Sequence, residues 1–220
     1  MKNALILAPF SGPQLQRLRR AVRVAHESWL ETGRLYDPDE LARRLRDERI
    51  HFLVVEGDFV FEEMMDEAAD LELIGVCRNA LNHVDVDAAT QRGVLVVNAP
   101  GRNAVAVAEM TLGMMLALAR RIPQADCYVK SGRWADPVSG YQTFRGTELA
   151  GKTAGIVGLG AIGRLVAQRL AAMGMRLLAH DPYLTPETTE GLGVTLQSLE
   201  DLLAQSDYVV VHAPANDETM

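Results

Sequence analysis

Short apolar runs alternate with stretches of wider apolar spacing over the first hundred residues. Ala4 to Ala8, Phe52 to Glu56, Leu71 to Val76 and Val94 to Val97 read as buried strands. Between them, Gln14 to Leu30, Pro38 to Asp47, Phe61 to Ala69 and Val84 to Gln91 carry the spacing of helices. Strands alternating with helices imply parallel strands joined by crossovers, hence an α/β layer covered on both faces.

Pro100 and Gly101 punctuate the fourth strand, and Asn103 is the expected N-cap of the helix that follows, "AVAVAEMTLGMMLALARR". That helix is apolar almost all round, which predicts burial between two domains or two subunits. Gly132 to Gly151 is rich in turn residues and reads as an irregular connection. A second α/β pattern starts at Lys152. It predicts strands at 153–157, 176–180, near Val194 and at 208–212, a helix over about 161–173, and another opened by Ser198 with Asp201 three residues on.

With 220 residues the chain is long enough for two domains. A net charge of -7 and a pI near 5.3 argue against nucleic-acid or anionic-membrane partners. Two basic clusters, Arg17, Arg19, Arg20, Arg23 and Arg43, Arg44, Arg46, Arg49, are expected to be solvated helix faces. Cys77 and Cys127 lack metal-ligand or disulfide-framework spacing, so neither a zinc site nor a secreted scaffold is indicated. The N-terminus lacks signal-peptide features, and the run Ala104 to Ala119 is broken by Glu109 and falls short of the roughly 20 residues of a membrane span. A cytoplasmic protein is expected.

The stretch "TAGIVGLGAIGRLVAQRLAAMGMRLLAHD" carries the chemistry. Gly158, Gly160 and Gly163 form GxGxxG after an apolar strand and at the opening of a helix, and Asp181 ends the next strand 18 residues later. Gly158 permits the tight turn, Gly160 the approach of a pyrophosphate, and Gly163 close helix–strand packing. The N–H groups of Ala161 and Ile162 then face the phosphates. Asp181 is placed to bind adenosine ribose hydroxyls and to repel a 2'-phosphate, favouring NAD over NADP. His180 reads as a packing residue. His212 sits at a strand's C-terminal end, where ligands collect in open sheets, with a structural role as the alternative.

Three stretches, "NHVDVDAATQRGVLVVNAPGRNAVAVAEMT", "ELAGKTAGIVGLGAIGRLVAQRLAAMGMRLLAHDPY" and "SDYVVVHAPANDET", resemble the D-isomer-specific 2-hydroxyacid dehydrogenase family, most of all its 3-phosphoglycerate dehydrogenase-like members. The likeness runs from about Leu71 onward; before that it is one of layout. It implies a flavodoxin-like substrate-binding domain over 1–102, an interdomain and dimerisation helix with its connection over 103–150, and an incomplete Rossmann NAD-binding domain over 151–220. It further implies an active site in the cleft between domains, hydride transfer between nicotinamide and C2 of a small anionic 2-hydroxy or 2-oxo acid, and a homodimer.

By the same resemblance, the loop Cys77, Arg78, Asn79 and Ala80 binds the substrate carboxylate through backbone N–H groups, and Asn79 also touches the cofactor. His212, Ala213 and Pro214 join the cofactor site. Arg78 and Asn79 stand where glycine and threonine are common in the family. Asn tolerates unusual backbone angles, and Arg78 either pairs with a second anionic group of the substrate or points to solvent. The family's catalytic histidine, glutamate and arginine follow the "HAP" strand, so no catalytic residue is assigned. The 220-residue chain is expected to be inactive alone, a fragment or partner-stabilised, with "YVVVHA" an uncovered sheet edge. An NAD-dependent oxidoreductase is the leading expectation; a catalytically inactive NAD-binding interaction protein of the corepressor kind is the other.

Overall fold

The structure, a computed structural model, describes residues 1–214 and 219. The chain forms two compact units, Met1–Arg102 and Asn103–Met220.

The first unit runs β1 (Asn3–Ile6), α1 (Gly12–Arg19), β2 (Arg23–His26), α2 (Trp29–Thr32), α3 (Pro38–Asp47), β3 (Ile50–Val55), α4 (Glu62–Glu67), β4 (Leu73–Val76), α5 (Val86–Gln91) and β5 (Leu95–Asn98). The sheet is wholly parallel in the order β2-β1-β3-β4-β5, the flavodoxin-like arrangement. Leu5, Leu53 and Ile74 stand in register on neighbouring strands and are fully buried, with Leu41 and Leu45 of α3 packed in the same core. The chain reverses its direction of winding between β1 and β3, and ligands of such sheets bind beyond the strand ends at that switch point.

One expected helix is corrected. Residues 14–30 do not form a single helix: α1 stops at Arg19, and Arg23–His26 pairs with β1 as an edge strand. The physical reason is that this strand is short and half-buried on one side of the sheet, so its apolar residues form no run long enough to show an alternation of their own.

The basic cluster on α3 also departs from a merely solvated face. The Arg44 side chain is only 18% exposed, and both its terminal nitrogens reach Glu27, with Nη2–Oε1 at 2.5 Å and Nη1–Oε2 at 2.6 Å. Arg46 pairs with Glu67 and Arg49 with Asp70.

The second unit runs α6 (Ala104–Ala119), α7 (Ile122–Lys130), α8 (Pro137–Thr143), β6 (Thr153–Val157), α9 (Ala161–Ala172), β7 (Arg176–His180), a single 3-10 turn at Glu187–Thr189, β8 (Val194–Leu196), α10 (Leu199–Gln205) and β9 (Tyr208–Val211). Its sheet is parallel in the order β8-β7-β6-β9, so β9 is an outer strand among the described residues. α6 packs on α9 through a core that includes Ala108, Met115, Val166 and Leu170.

The connection expected to be irregular contains α8, started by Pro137 and capped by Asp136, whose two oxygens accept from the N–H groups of Val138 and Ser139 at 2.9 Å each. Asn103 does stand at the N-cap of α6, but its side chain makes no capping bond; the backbone carbonyl alone accepts, from Val107. Ser198 caps α10 as its spacing implies, accepting from the Asp201 N–H at 3.1 Å and donating its hydroxyl proton to the Asp201 carboxylate.

Candidate functional site

In the second unit the site grows from the end of β6. Gly158 has φ +88°, a left-handed conformation that costs other residues energy, and a Cβ there would meet the Ala213 nitrogen at 2.7 Å and the His212 carbonyl carbon at 2.8 Å. The end of β9 therefore crosses directly over the turn, held by the His212 N–H on the Val157 carbonyl at 2.7 Å. Gly163, in the first turn of α9, lies so close to the same turn that a Cβ would fall 2.2 Å from the Gly158 oxygen.

Gly160 differs from both. It is exposed, its φ is -73°, and a Cβ there would meet nothing within 4 Å. No packing within the described residues demands glycine at this point. Just beyond it, the N–H groups of Ala161 and Ile162 open α9 without a backbone acceptor among the described residues, as the first turn of a helix must. A cleared space in front of unsatisfied N–H groups at a helix N-terminus is a place for an anion.

Asp181 closes the arrangement from β7. One carboxylate oxygen accepts from the Leu159 N–H at 2.9 Å and the other from the Tyr183 N–H at 3.1 Å. The acid thereby fixes the glycine turn and remains half-buried at its rim, with lone pairs left over on both oxygens. These features fit a dinucleotide: a turn without side chains, free amides for phosphates, and a carboxylate one strand away for a ribose.

In the first unit, Cys77, Arg78, Asn79 and Ala80 follow β4. Three consecutive carbonyls of this loop are tied back: Cys77 O accepts from Arg102 Nη1 at 2.5 Å, Arg78 O from the Ala99 N–H at 3.0 Å, and Asn79 O from Asn98 Nδ2 at 2.8 Å. The N–H groups of Arg78, Asn79 and Ala80 have no acceptor among the described residues. All three residues are exposed. Anchored carbonyls and unpaired amides leave this loop with donors that an anion could take up. Cys77 itself is half-buried, and burial pushes its thiol up, away from nucleophilic use.

The surroundings of this loop were not apparent from the sequence. Glu56 accepts from Trp29 Nε1 at 3.1 Å and from Arg102 Nη1 at 2.6 Å, and its backbone carbonyl accepts from Arg78 Nη1 at 3.3 Å. These residues come from the ends of different strands, so no spacing motif joins them.

Four of the histidines stand in structural surroundings. His26 Nε2 lies 3.2 Å from the Ala8 carbonyl, His51 Nδ1 accepts from the Asn3 N–H, and His180 Nδ1 lies 3.1 Å from the Gln197 carbonyl. His83 is buried, with neither ring nitrogen hydrogen-bonded among the described residues. Burial first, and the nearby Arg78 second, hold its pKa below the ordinary value. His212 is half-buried with Nε2 unpartnered among the described residues, and burial lowers its pKa too. Burial thus favours the neutral form of this ring at the strand end beside Gly158.

Fold and corner together define a dinucleotide-binding α/β protein. Residues 112–220 match the family described as D-isomer specific 2-hydroxyacid dehydrogenase, NAD binding domain. The chain is 46% identical over 158 residues to a D-3-phosphoglycerate dehydrogenase of Archaeoglobus fulgidus, covering 72% of this chain and 29% of that protein. It superposes on the crystal structure of the TT0316 protein of Thermus thermophilus with a TM-score of 0.86 at 33% identity, covering 99% of this chain and 66% of that one. A D-lactate dehydrogenase of Aquifex aeolicus, solved with NAD and lactic acid, superposes with a TM-score of 0.81 at 25% identity, covering 99% and 62%. The chain belongs to the D-isomer-specific 2-hydroxyacid dehydrogenase family, and NAD is the cofactor of its second unit. It spans less than a third of the Archaeoglobus protein's length.

Proposed function

We propose that this chain carries the cofactor site and the substrate-carboxylate loop of a cytoplasmic, homodimeric oxidoreductase that moves a hydride between nicotinamide and C2 of a small D-2-hydroxy acid, 3-phosphoglycerate or a related compound. The amide-lined loop after β4 carries the reading of the substrate class: its tied carbonyls leave the N–H groups of Arg78, Asn79 and Ala80 for one carboxylate.

Gly158, Gly160 and Gly163 shape the turn under the pyrophosphate, Ala161 and Ile162 donate their N–H groups to it, and Asp181 takes the adenosine ribose hydroxyls. The carboxylate's charge disfavours a 2'-phosphate. His212, Ala213 and Pro214 line the same turn from β9. No acid–base residue is assigned. Cysteines at 77 and 127 that are both free suit a reducing compartment.

The test is consumption of NADH by the native gene product with a panel of small 2-oxo acids, the 220 residues by themselves being expected to bind NADH without turnover. Turnover with NADH and far weaker turnover with NADPH is expected. Tight NADH binding with no turnover of any acid would replace the enzyme by an NAD-binding interaction protein.

A further inference from the structure

The loop after β4 is held by the carbonyl ends of its peptide groups. Cys77 is fixed first: its N–H donates to the Val55 carbonyl at 2.8 Å, continuing the pairing of β3 with β4, and its own carbonyl accepts from Arg102 Nη1 at 2.5 Å. A trans peptide group is planar, with C=O and N–H pointing in opposite directions, so whatever holds the carbonyl of one residue aims the N–H of the next. The carbonyls of Cys77, Arg78 and Asn79 are held by Arg102, by the Ala99 N–H and by Asn98 Nδ2, and the unpaired N–H groups of Arg78, Asn79 and Ala80 are the other ends of those same peptide groups. Arg102 is itself fixed. The same Nη1 donates to Glu56 Oε1 at 2.6 Å, and Trp29 Nε1 holds Glu56 Oε2 at 3.1 Å. Nη1 carries two hydrogens, enough for the carboxylate and the carbonyl together.

We propose that Arg102 is a positioning residue of the substrate site: braced by Glu56, it turns the Arg78 N–H towards the substrate carboxylate by holding the other end of the same peptide group. The proposal rests on residues 77–80 being the carboxylate loop. Glu56 takes up the charge of Arg102 through their direct ion pair, so the guanidinium serves as a strut and touches no substrate. Asn98 aims the Ala80 N–H in the same way, through the Asn79 carbonyl. Donors fixed before the acid arrives bind it more tightly than donors that must first be ordered, because the ordering cost is not charged against binding.

The test follows the backbone amide resonances of Arg78, Asn79 and Ala80 in the isotope-labelled native gene product, saturated with NAD, while 3-phosphoglycerate, D-glycerate and D-lactate are titrated in turn. At least one acid is expected to shift these amides downfield, as amides gaining a charged acceptor do. Arg102→Ala is expected to weaken that acid about tenfold and to diminish the Arg78 shift, while the Ala80 amide keeps its shift and NAD affinity is unchanged. Glu56→Gln is expected to weaken the acid in the same direction by less. The double variant, which has no unpaired carboxylate beside the loop, is expected to stay as weak as Arg102→Ala. The Arg102 side chain is 49% exposed, and thermal unfolding shows that each variant is folded. If Arg102→Ala or the double variant binds the acid as tightly as wild type, the positioning role falls while the loop assignment stands. If Glu56→Gln binds the acid more tightly and Arg102→Ala less, Arg102 receives the acid directly and the positioning role falls. If no acid shifts these amides in wild type, the loop assignment falls and the proposal with it.

Discussion

At the level of single residues, the three glycines of one motif are glycine for different reasons, and the difference can be measured. Gly163 is required by the chain itself, since a methyl group would press on the Gly158 carbonyl oxygen at 2.2 Å and backbone cannot step aside cheaply. Gly163→Ala is therefore expected to lower stability by about 1–3 kcal/mol, with NAD affinity falling as a consequence. Gly160 has ordinary backbone angles and open space around it. Gly160→Ala is expected to leave the melting temperature nearly unchanged, within about 0.5 kcal/mol, while weakening NAD binding about tenfold or more by filling the place where the pyrophosphate meets the backbone. Thermal unfolding and an NAD titration on the two variants separate these cases. Undiminished NAD affinity in Gly160→Ala would mean that the phosphates do not pass that point. The motif was plain in the sequence because strand, turn, helix and acidic residue follow one another along a single short stretch. The brace around residues 77–80 was not, because Trp29, Glu56 and Arg102 come together only when separate strand ends are aligned by the sheet.

Between elements, α3 is fastened to the end of β2 through charge. Arg44 of α3 grips Glu27 with two hydrogen bonds, and Tyr36 donates its hydroxyl to the same carboxylate at 2.5 Å. The hydrogen bonds from Arg44 outweigh the opposing cost of burial and draw the Glu27 pKa from its ordinary 4.5 down to about 2. Because the folded value is depressed, the pair stabilises the protein fully above the unfolded value, and that contribution is lost as pH falls from about 4.5 through about 2. Wild type should lose stability across this window relative to Glu27→Gln, which has no carboxylate to protonate. Urea midpoints compared at the two ends of the window decide it, and parallel losses in both proteins would remove the pair from the acid response. The same region shows where local pattern misleads. The Arg-rich 17–23 segment reads as one amphipathic helix, yet β1 recruits Arg23–His26 as a strand, a tertiary preference that no local signal carries. Asp37–Pro38 and Asp136–Pro137 start helices by the same capping bonds. The first was legible because α3 has a strong apolar stripe behind it, whereas α8 has only seven residues and little apolar periodicity.

At the scale of the whole molecule, both parallel sheets followed from the alternation of strands and helices, since a crossover connection leaves few other arrangements. The partner of α6 is a different matter. Ala104, Ala108, Met115 and Ala119 bury one side of that helix within its own unit. The opposite side carries Met110, Met114 and Leu118 at four-residue spacing, 64%, 65% and 72% exposed, continued by Ile122. A stripe of large apolar side chains at helical period costs free energy in water and is the kind of surface a protein partner covers. The homodimer proposed above would cover it with one self-complementary patch about a two-fold axis, the commonest way oligomers close. Met114→Glu with Leu118→Glu is therefore expected to convert a dimer into a monomer in sedimentation experiments. The melting temperature of the monomer itself should change little, because both side chains are largely exposed within their own chain and the new charges stand in solvent until a partner arrives to bury them. A wild type that sediments as a monomer at all accessible concentrations would leave α6 without this role. A double variant that remains dimeric would move the interface to another surface.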